Sequence, residues 1–373
     1  MGITDLLNFS TGGGPAPAGI PERSNRMLWR PEDHIGPTGK TLAPHYESLF
    51  MKLHEPAAGK SLWLQFGARA PEGGAFAAHG HVMAVCFDHA TPERHVALKQ
   101  TYPPEKVRNA SDKLDVIMGL CRLRSGRTSG RLEGAAAAGH KIAWDLEFAP
   151  AGDSVQHFRW PLLYSLPLPK AKATTPLVDT RFSGWFEVDG ERITVKHAPG
   201  MQGHNWGTAH GHRWAWLHSN SLSGKRAESA GSYIEALSAQ IKLGSRPTPW
   251  ISTVHLSHGG ERVRFDTLSR PRSVTSRPGD TDWSLVAENR NERLALRSWA
   301  PPSDFIGVEY LDPSGRTVYC RNSSIANVRI DLYRRGGGVW EHHDTLMGEH
   351  SAALELAGPT LPESGQVHLP LGP

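Results

Sequence analysis

Short, strand-sized segments are the feature that most constrains this chain. Mixed apolar and polar runs recur along it, and turn residues such as Pro71-Glu72-Gly73-Gly74 separate them. The 39 glycines and 28 prolines leave little room for long helices. The pattern predicts an all-β protein. The predicted strands are 46–53, 61–68, 81–87, 95–99 and 141–148 in a first cluster, and 213–219, 232–243, 251–257, 262–267, 283–288, 293–299, 305–311 and 326–333 in a second.

Two clusters of strands in 373 residues indicate two domains, because one domain usually has about 150 residues. Regular short strands favour antiparallel barrels, and closed barrels remove the exposed edges that so many strands would create. We therefore expect a Gly/Pro-rich N-terminal arm over 1–37, a β-domain over 38–200 and a second β-domain over 201–373. Only the segment 110–123 has a spacing of apolar residues that could form a useful helix.

Charge and cysteine content exclude several classes of protein. The formal net charge is only +4, with basic and acidic residues interspersed, so we expect no nucleic-acid partner. The cysteines Cys86, Cys121 and Cys320 are odd in number and far apart, which fits neither a disulfide framework nor a zinc ribbon. The first residues lack a secretory signal, and no stretch reaches the roughly 18 apolar residues of a membrane span. These features predict a cytoplasmic protein without an integral membrane segment; peripheral membrane association and oligomeric state stay open.

Common catalytic motifs are also missing. The chain has no phosphate-binding loop, no dinucleotide fingerprint, no nucleophile elbow and no His-Glu-x-x-His motif. The pairs His79/His81 and His210/His212 each place two imidazoles on one strand face, but neither is followed by the carboxylate of a complete ligand set. We therefore predict no bound metal and no cofactor.

The densest chemistry lies in Gly203-His204-Asn205-Trp206-Gly207 and the strand after it. In that strand Trp214, Trp216 and His218 alternate along one face, forming a wall that could bury a flat or polyunsaturated ligand. An indole face can also stabilise a developing carbocation. Spacing alone favours the simpler alternative, a packed barrel core with histidines capping it at the surface.

The 203–207 motif, preceded by Pro199-Gly200, resembles the family that contains carotenoid hydratases, AttH-like lipocalins and related cyclases, including Diels-Alderases. The segments 45–48, 144–146 and 320–323 support the resemblance more loosely, and it spans about 40–335. It implies two lipocalin-like β-barrels with an apolar pocket near where they meet.

The resemblance also implies catalytic residues. His204 and Trp206 match the motif positions directly, and Tyr233 and Glu235 are similar to a second pair, a Tyr-x-Asp that acts with them in alkene protonation. The hydratases tend to carry Asp before the motif histidine, where this chain has Gly203, so plain hydration is less well supported than cyclisation. The residues expected to line the substrate are Asn205, Trp214, Trp216 and His218.

The leading hypothesis is a cofactor-independent enzyme that encloses an isoprenoid or polyene and catalyses acid-assisted cyclisation, alkene hydration or a pericyclic cyclisation. A carboxylic acid in a dry pocket can stay protonated at neutral pH, and Glu235 is the candidate acid. The alternative is a non-catalytic carrier or sensor of a hydrophobic ligand. Structural alternatives also stand: Glu235 as a solvated residue or the partner of an arginine, Tyr233 in sheet packing, and His204 with Trp206 as ties between the domains.

Overall fold

The computed structural model describes residues 25–30, 44–134, 139–225, 232–360 and 367–369. Within these ranges the regular structure is β-strand, with short 3-10 turns and no α-helix. None of the described residues belongs to a helix long and apolar enough to cross a membrane. The 3-10 turns are Pro56–Ala58, Pro92–Arg94, Pro104–Lys106, Pro161–Tyr164 and Pro302–Asp304.

The first sheet has twelve antiparallel strands. They are β1 (His45–Glu55), β2 (Lys60–Ala70), β3 (His79–Asp88), β4 (Val96–Tyr102), β5 (Val107–Asn109), β6 (Asp115–Met118), β7 (Cys121–Arg124), β8 (Arg127–Glu133), β9 (Lys141–Phe148), β10 (Val155–Gln156), β11 (Ala171–Val188) and β12 (Glu191–Gly207). Their order is β4-β3-β2-β1-β12-β11-β9-β8-β7-β6-β5, and β10 pairs with β11.

The second sheet has eleven strands. They are β13 (Arg213–Ser219), β14 (Tyr233–Gln240), β17 (Ile251–His258), β18 (Glu261–Asp266), β19 (Val274–Pro278), β20 (Asp282–Glu288), β21 (Glu292–Trp299), β22 (Ile306–Leu311), β23 (Thr317–Gly336), β24 (Val339–Gly358) and β25 (Val367–Leu369); β15 (Lys242–Leu243) and β16 (Arg246–Pro247) form a separate hairpin. The order is β18-β17-β14-β13-β24-β23-β21-β20-β19, with β22 on β23 and the parallel β25 on β22.

Each sheet curls into a nearly closed barrel around its own hydrophobic core. In the first barrel, β3 approaches the far edge of the sheet: the space that a Cβ on Gly80 would need holds the side chains of Val107 and Met118. This architecture confirms the predicted all-β fold of two lipocalin-like barrels. The first sheet continues through Gly207 and the second begins at Arg213, whereas the sequence places the domain boundary at residue 200.

The segment 25–30 lies inside the first barrel. Met27 and Trp29 are buried in its core, and the Asn109 side-chain amide donates to both of their carbonyl oxygens. Asn25 and Gln202 exchange hydrogen bonds through their amide groups. The described part of the predicted N-terminal arm is therefore a packed component of the barrel, and the rest of the arm lies outside the described residues.

The helix expected over 110–123 is wrong. This region contains the hairpin of β6 and β7, in which Met118 pairs with Cys121 across a two-residue turn. Gly119 has a φ of +59°, as tight hairpin turns require. The side chains that point into the core are those of Val116, Met118, Cys121 and Leu123. Alternate residues of each strand are therefore buried, which is the pattern of a strand and not of a helix.

The outer faces of the two barrels pack against each other through a third hydrophobic cluster. Strand β1 shows how the faces divide: Leu49, Met51 and Leu53 enter the first barrel, while Phe50 points outwards to the second. The interface consists of Phe50, Trp63, Met83, Val85, Phe87 and Met201 from the first barrel, and Trp216, Ile306, Val308, Tyr310, Val318, Cys320, Ile325 and Ala353 from the second.

Candidate active site

Strand β13 presents its aromatic stripe to the first barrel. Trp216 is buried against Phe50, edge to face with ring centroids 5.3 Å apart. Trp214, two residues earlier on the same face, is half-buried. His218 continues the stripe and stacks on Trp216 at 6.4 Å. The three predicted substrate-lining residues on β13 are therefore brought together between the barrels.

Glu235 lies on the neighbouring strand β14 and is fully buried. Its Oε1 accepts hydrogen bonds from Thr175 Oγ1 and Trp216 Nε1, both at 2.8 Å, and lies 3.3 Å from His157 Nε2. Its Oε2 is buried and has no hydrogen-bond partner among the described residues. Such an oxygen is costly unless something else occupies or protonates it. Glu235 thus points into the inter-barrel interface, away from solvent.

A second carboxyl group, Glu355, lies on the other side of β13 and was not found from the sequence. It is paired in register with Trp216 across β13 and β24. Its Oε2 accepts from Trp214 Nε1 at 3.3 Å, and its Oε1 accepts from Asn322 Nδ2 at 2.8 Å. Burial raises the pKa of Glu355 to about 7; the two hydrogen bonds oppose this rise, and the charge of Glu235 adds to it.

Tyr233 and His218 complete this surface. Tyr233 shares a strand face with Glu235 and packs against Val155 and Val178 of the first sheet. Burial raises the pKa of Tyr233 to about 12, so its phenol stays protonated. His218 donates from Nε2 to the Val178 carbonyl at 2.8 Å. Burial lowers the pKa of His218 to about 4, against the opposing charge of Glu235, so this imidazole is neutral at pH 7.

His204 lies on the inner face of the first barrel, where its Nε2 donates to Glu47 at 2.7 Å. Glu47 is fully buried and also accepts from His45 and from the backbone N–H groups of Leu28 and Trp29. Burial tends to raise the pKa of Glu47, but the hydrogen bonds of the two imidazoles hold it at about 2. The motif histidine therefore helps a buried carboxylate to hold the segment 25–30.

Trp206 connects this inner network to the interface. Its ring lies 4.6 Å from that of His204 and stacks on Tyr164 at 5.8 Å. Tyr164 belongs to the connection between β10 and β11, which also supplies the His157 that contacts Glu235. The predicted catalytic residues thus form two groups on different barrels, His204 with Trp206 and Tyr233 with Glu235, joined by this connection. Half-buried Asn205 lies on the opposite face of β12 from both motif side chains.

Gly203 has a packing role at the interface. A Cβ at this position would lie 2.2 Å from the Phe50 ring. The glycine lets that ring lie against β12 and reach Trp216. This close approach explains why an acidic side chain before the motif histidine, as expected of the hydratases, does not fit here.

One histidine of each predicted pair has a local hydrogen-bond partner. His81 Nε2 lies 3.1 Å from Gln65 Oε1, and His210 Nδ1 lies 3.1 Å from Asp312. His210 also stacks on Tyr46 of β1 at 3.9 Å, which closes one end of the interface. Each of these imidazoles is therefore engaged in a local hydrogen bond.

The cavity at the end of the second barrel is too small for a ligand. The cavity there, lined by Leu256, Val263 and Phe265 among others, has a volume of about 40 Å³. Small-molecule sites usually need about 300 Å³ or more. The side chains of the inter-barrel surface, an aromatic stripe flanked by two carboxyl groups, make this surface the candidate active site.

Several known proteins are similar to this chain in sequence or structure. Two uncharacterized proteins of Mycobacterium tuberculosis, from strains CDC 1551 / Oshkosh and ATCC 25618 / H37Rv, are each 23% identical over 326 residues, covering 87% of this chain and 91% of theirs. The crystal structure of a putative AttH from Nitrosomonas europaea aligns with a TM-score of 0.54 and 13% identity, covering 92% of this chain and all of that one. A crystal structure of CghA aligns at a TM-score of 0.49 and 10% identity, over 95% of this chain and 97% of that one.

The family model described as tocopherol cyclase-like matches residues 129–358. That range includes the 203–207 motif, the aromatic stripe and both interface carboxyl groups, Glu235 and Glu355. The match covers more than half of the chain. The sequence motif resembles a group of proteins that includes cyclases, and the description of the matched family agrees with that part of the resemblance. This chain belongs to the tocopherol cyclase-like family.

Proposed function

We propose that this protein is an enzyme that binds a hydrophobic isoprenoid or polyene between its two barrels and cyclises it by acid-assisted chemistry. One observation carries the proposal: two carboxyl groups flank the aromatic stripe, and each accepts a hydrogen bond from one of its indoles, Trp216 to Glu235 and Trp214 to Glu355. Membership of the tocopherol cyclase-like family supports a cyclase-type reaction.

Glu355 is suited to donate the proton. With a pKa of about 7, a large fraction of its carboxyl groups are protonated at neutral pH. Protonation of a substrate alkene by this acid leaves a carbocation, which the faces of Trp214 and Trp216 would stabilise. This division of roles extends the expectation from sequence, in which Glu235 alone is the acid.

Glu235 is suited to accept the proton that is released when the ring closes. A hydroxyl group of the folded substrate attacks the cation, a carbon–oxygen bond closes the ring, and the hydroxyl proton passes to a carboxylate. The unpartnered Oε2 of Glu235 is available as that acceptor. The proton gained at carbon equals the proton lost from oxygen, so the substrate is isomerised and neither an oxidant nor a cofactor is needed. Proton exchange with solvent then returns Glu235 and Glu355 to their starting states. Attack by water in place of the hydroxyl gives hydration.

The burial of Glu235 also bears on the carrier alternative. A carrier of an apolar ligand has no need for inward carboxyl groups, because each of them costs free energy to bury. Glu235 is fully buried and Glu355 has a pKa near neutrality, so the pair is better suited to proton transfer than to binding alone. The three cysteines are buried and unpaired, which supports a cytoplasmic location as part of the proposal.

His204 and Trp206 keep their predicted catalytic role as a hypothesis with a direct test. His204→Ala should abolish turnover with little change in melting temperature if the imidazole acts on substrate. A large fall in melting temperature would identify an anchoring role instead. The hydrogen bond from His204 to the buried Glu47 favours the anchoring role.

The experiment begins with mass spectrometry of small molecules extracted from the purified protein, followed by incubation of the ligand class found. We expect the wild-type protein to convert the ligand to a ring-closed isomer. We expect both Glu235→Gln and Glu355→Gln to lose this activity. Glu341→Gln, an exposed position on the same strand as Glu355, is the matched control. Recovery of the ligand unchanged with the wild-type protein would favour the carrier.

A further inference from the structure

Three potential metal ligands converge at the seam between the barrels. His89 follows β3 of the first barrel, Asp304 ends the 3-10 turn before β22, and His350 lies within β24 of the second barrel. One ligand atom from each of the three lies within 4.8 Å of the other two. The cluster joins both barrels, and long stretches of chain separate its members.

Local backbone structure holds the two imidazole rings face to face. His350 has a φ of +46°, in the left-handed region that non-glycine residues seldom adopt. Its backbone N–H is held by Asn327 Oδ1 at 3.1 Å, and that of His89 by the Gly59 carbonyl at 3.0 Å. The two rings stack with centroids only 3.4 Å apart. Backbone strain that points a side chain at a specific place is common at binding sites.

One nitrogen and one carboxyl group of the cluster have few hydrogen-bond partners. His350 Nδ1 is buried and has no hydrogen-bond partner among the described residues. Asp304 is only 3% exposed, and the side-chain hydrogen bond it receives is a long one of 3.3 Å from Ser303 Oγ. Buried polar groups normally have good partners, so both observations point to an additional bound species.

We propose that His89, Asp304 and His350 bind a divalent transition-metal ion that ties the two barrels together. Two imidazoles and one carboxylate suit Zn²⁺ and disfavour Ca²⁺ and Mg²⁺, which prefer oxygen ligands. Tetrahedral bonds of about 2 Å place the ligand atoms about 3.3 Å apart. Side-chain rotation must therefore unstack the two rings and bring the ligand atoms up to about 1.5 Å closer together. Water would complete the coordination.

The site is separate from the proposed active site. His350 precedes Glu355 by five residues on β24, which corresponds to about 16 Å of extended strand. Next to it, buried Lys52 of β1 donates to the Ser351 carbonyl, which closes the end of the interface opposite to Tyr46 and His210. We therefore expect a structural role, in which the metal holds the two barrels together at this end of their interface.

The test uses the full chain, stripped with a chelator and then titrated with Zn²⁺, with Co²⁺ as a spectroscopic probe. After desalting, elemental analysis should find one zinc per chain in the wild type and in the control His342→Gln, an exposed histidine of the same strand. His89→Gln and His350→Gln should each bind at least about tenfold more weakly. At the same zinc concentration, zinc should raise the melting temperature of the wild type and of the control by more than that of either variant.

Equal zinc retention by the wild type and both variants would overturn the proposal, as would failure of the stripped wild type to bind one equivalent. Circular dichroism checks that each variant is folded. If His350→Gln does not fold, His89→Gln decides the question, because His89 lies in a turn outside the sheet. A 1:1 Co²⁺ complex with ligand-field absorption bands, absent in His89→Gln, would separate this site from the other histidines.

Discussion

Glu47→Gln is the substitution whose effect follows most directly from the structure. Glutamine has nearly the same shape, but it removes the charge and turns an N–H₂ group towards donors that already point at the carboxylate. The affected donors are the imidazoles of His45 and His204 and the backbone N–H groups of Leu28 and Trp29. The substitution therefore leaves buried donors unpaired without creating a cavity.

The loss of folding free energy in Glu47→Gln follows from the pKa of Glu47, which the fold lowers from 4.5 to about 2. At 1.36 kcal/mol per pKa unit, this corresponds to about 3 kcal/mol of stability at neutral pH. Loss of one partner from a buried ionic network costs a similar amount, about 3–5 kcal/mol. For a domain of this size, 3 kcal/mol lowers the melting temperature by about 6–12 °C.

The pH dependence gives an independent check. Because the folded pKa of Glu47 lies below the unfolded value, its contribution is complete above about pH 4.5 and is lost as the pH falls towards 2. Scanning calorimetry from pH 7 to pH 3 should show this loss in the wild type and a smaller one in Glu47→Gln. Glu147→Gln, an exposed position on β9, should change stability by no more than about 0.5 kcal/mol. If Glu47→Gln changes the free energy of unfolding no more than this control does, the reasoning is refuted.

Three further predictions concern the interface. Gly203→Ala should cost about 1–3 kcal/mol in urea unfolding because its Cβ overlaps the Phe50 ring; an unchanged midpoint would contradict that packing. Lys52→Met should raise the melting temperature at pH 7, since burial lowers the pKa of Lys52 to about 7 and the charged form is costly to bury; a fall would show that its bond to Ser351 dominates. If Glu355 is the proton donor, turnover should fall as the pH rises through about 7, and a flat profile would exclude it from that role.

The fold was predictable from local patterning because neighbouring residues of a strand face opposite sides of a sheet. The hairpin at 115–124 was missed because Ile117, Met118 and Cys121 have a helical spacing, whereas the buried residues alternate along each strand. Gly119 was the available signal, since a glycine that permits positive φ is what a two-residue turn needs.

The candidate site was predictable only in part. The stripe on β13 is local, so its spacing could be read directly from the sequence. Glu355 alternates with Leu354 and Leu356, which face the core of the second barrel, so the local pattern only marks it as facing away from that core. That the first barrel covers this face could not be inferred from the local sequence. Glu47 and His157 become recognisable only through partners more than 75 residues away in sequence, His204 and Glu235. Such pairings depend on the register of distant strands, which local patterning does not determine.

The central claim is proton transfer to the substrate between the two barrels, and turnover in D₂O tests it most directly. The substrate is the hydrophobic alkene recovered from the protein, and the product is analysed by mass spectrometry and NMR. Protonation by Glu355 predicts one carbon-bound deuterium in each cyclised or hydrated product, and its loss together with turnover in Glu355→Gln. Full turnover without deuterium at carbon would contradict the account and establish a pericyclic reaction instead.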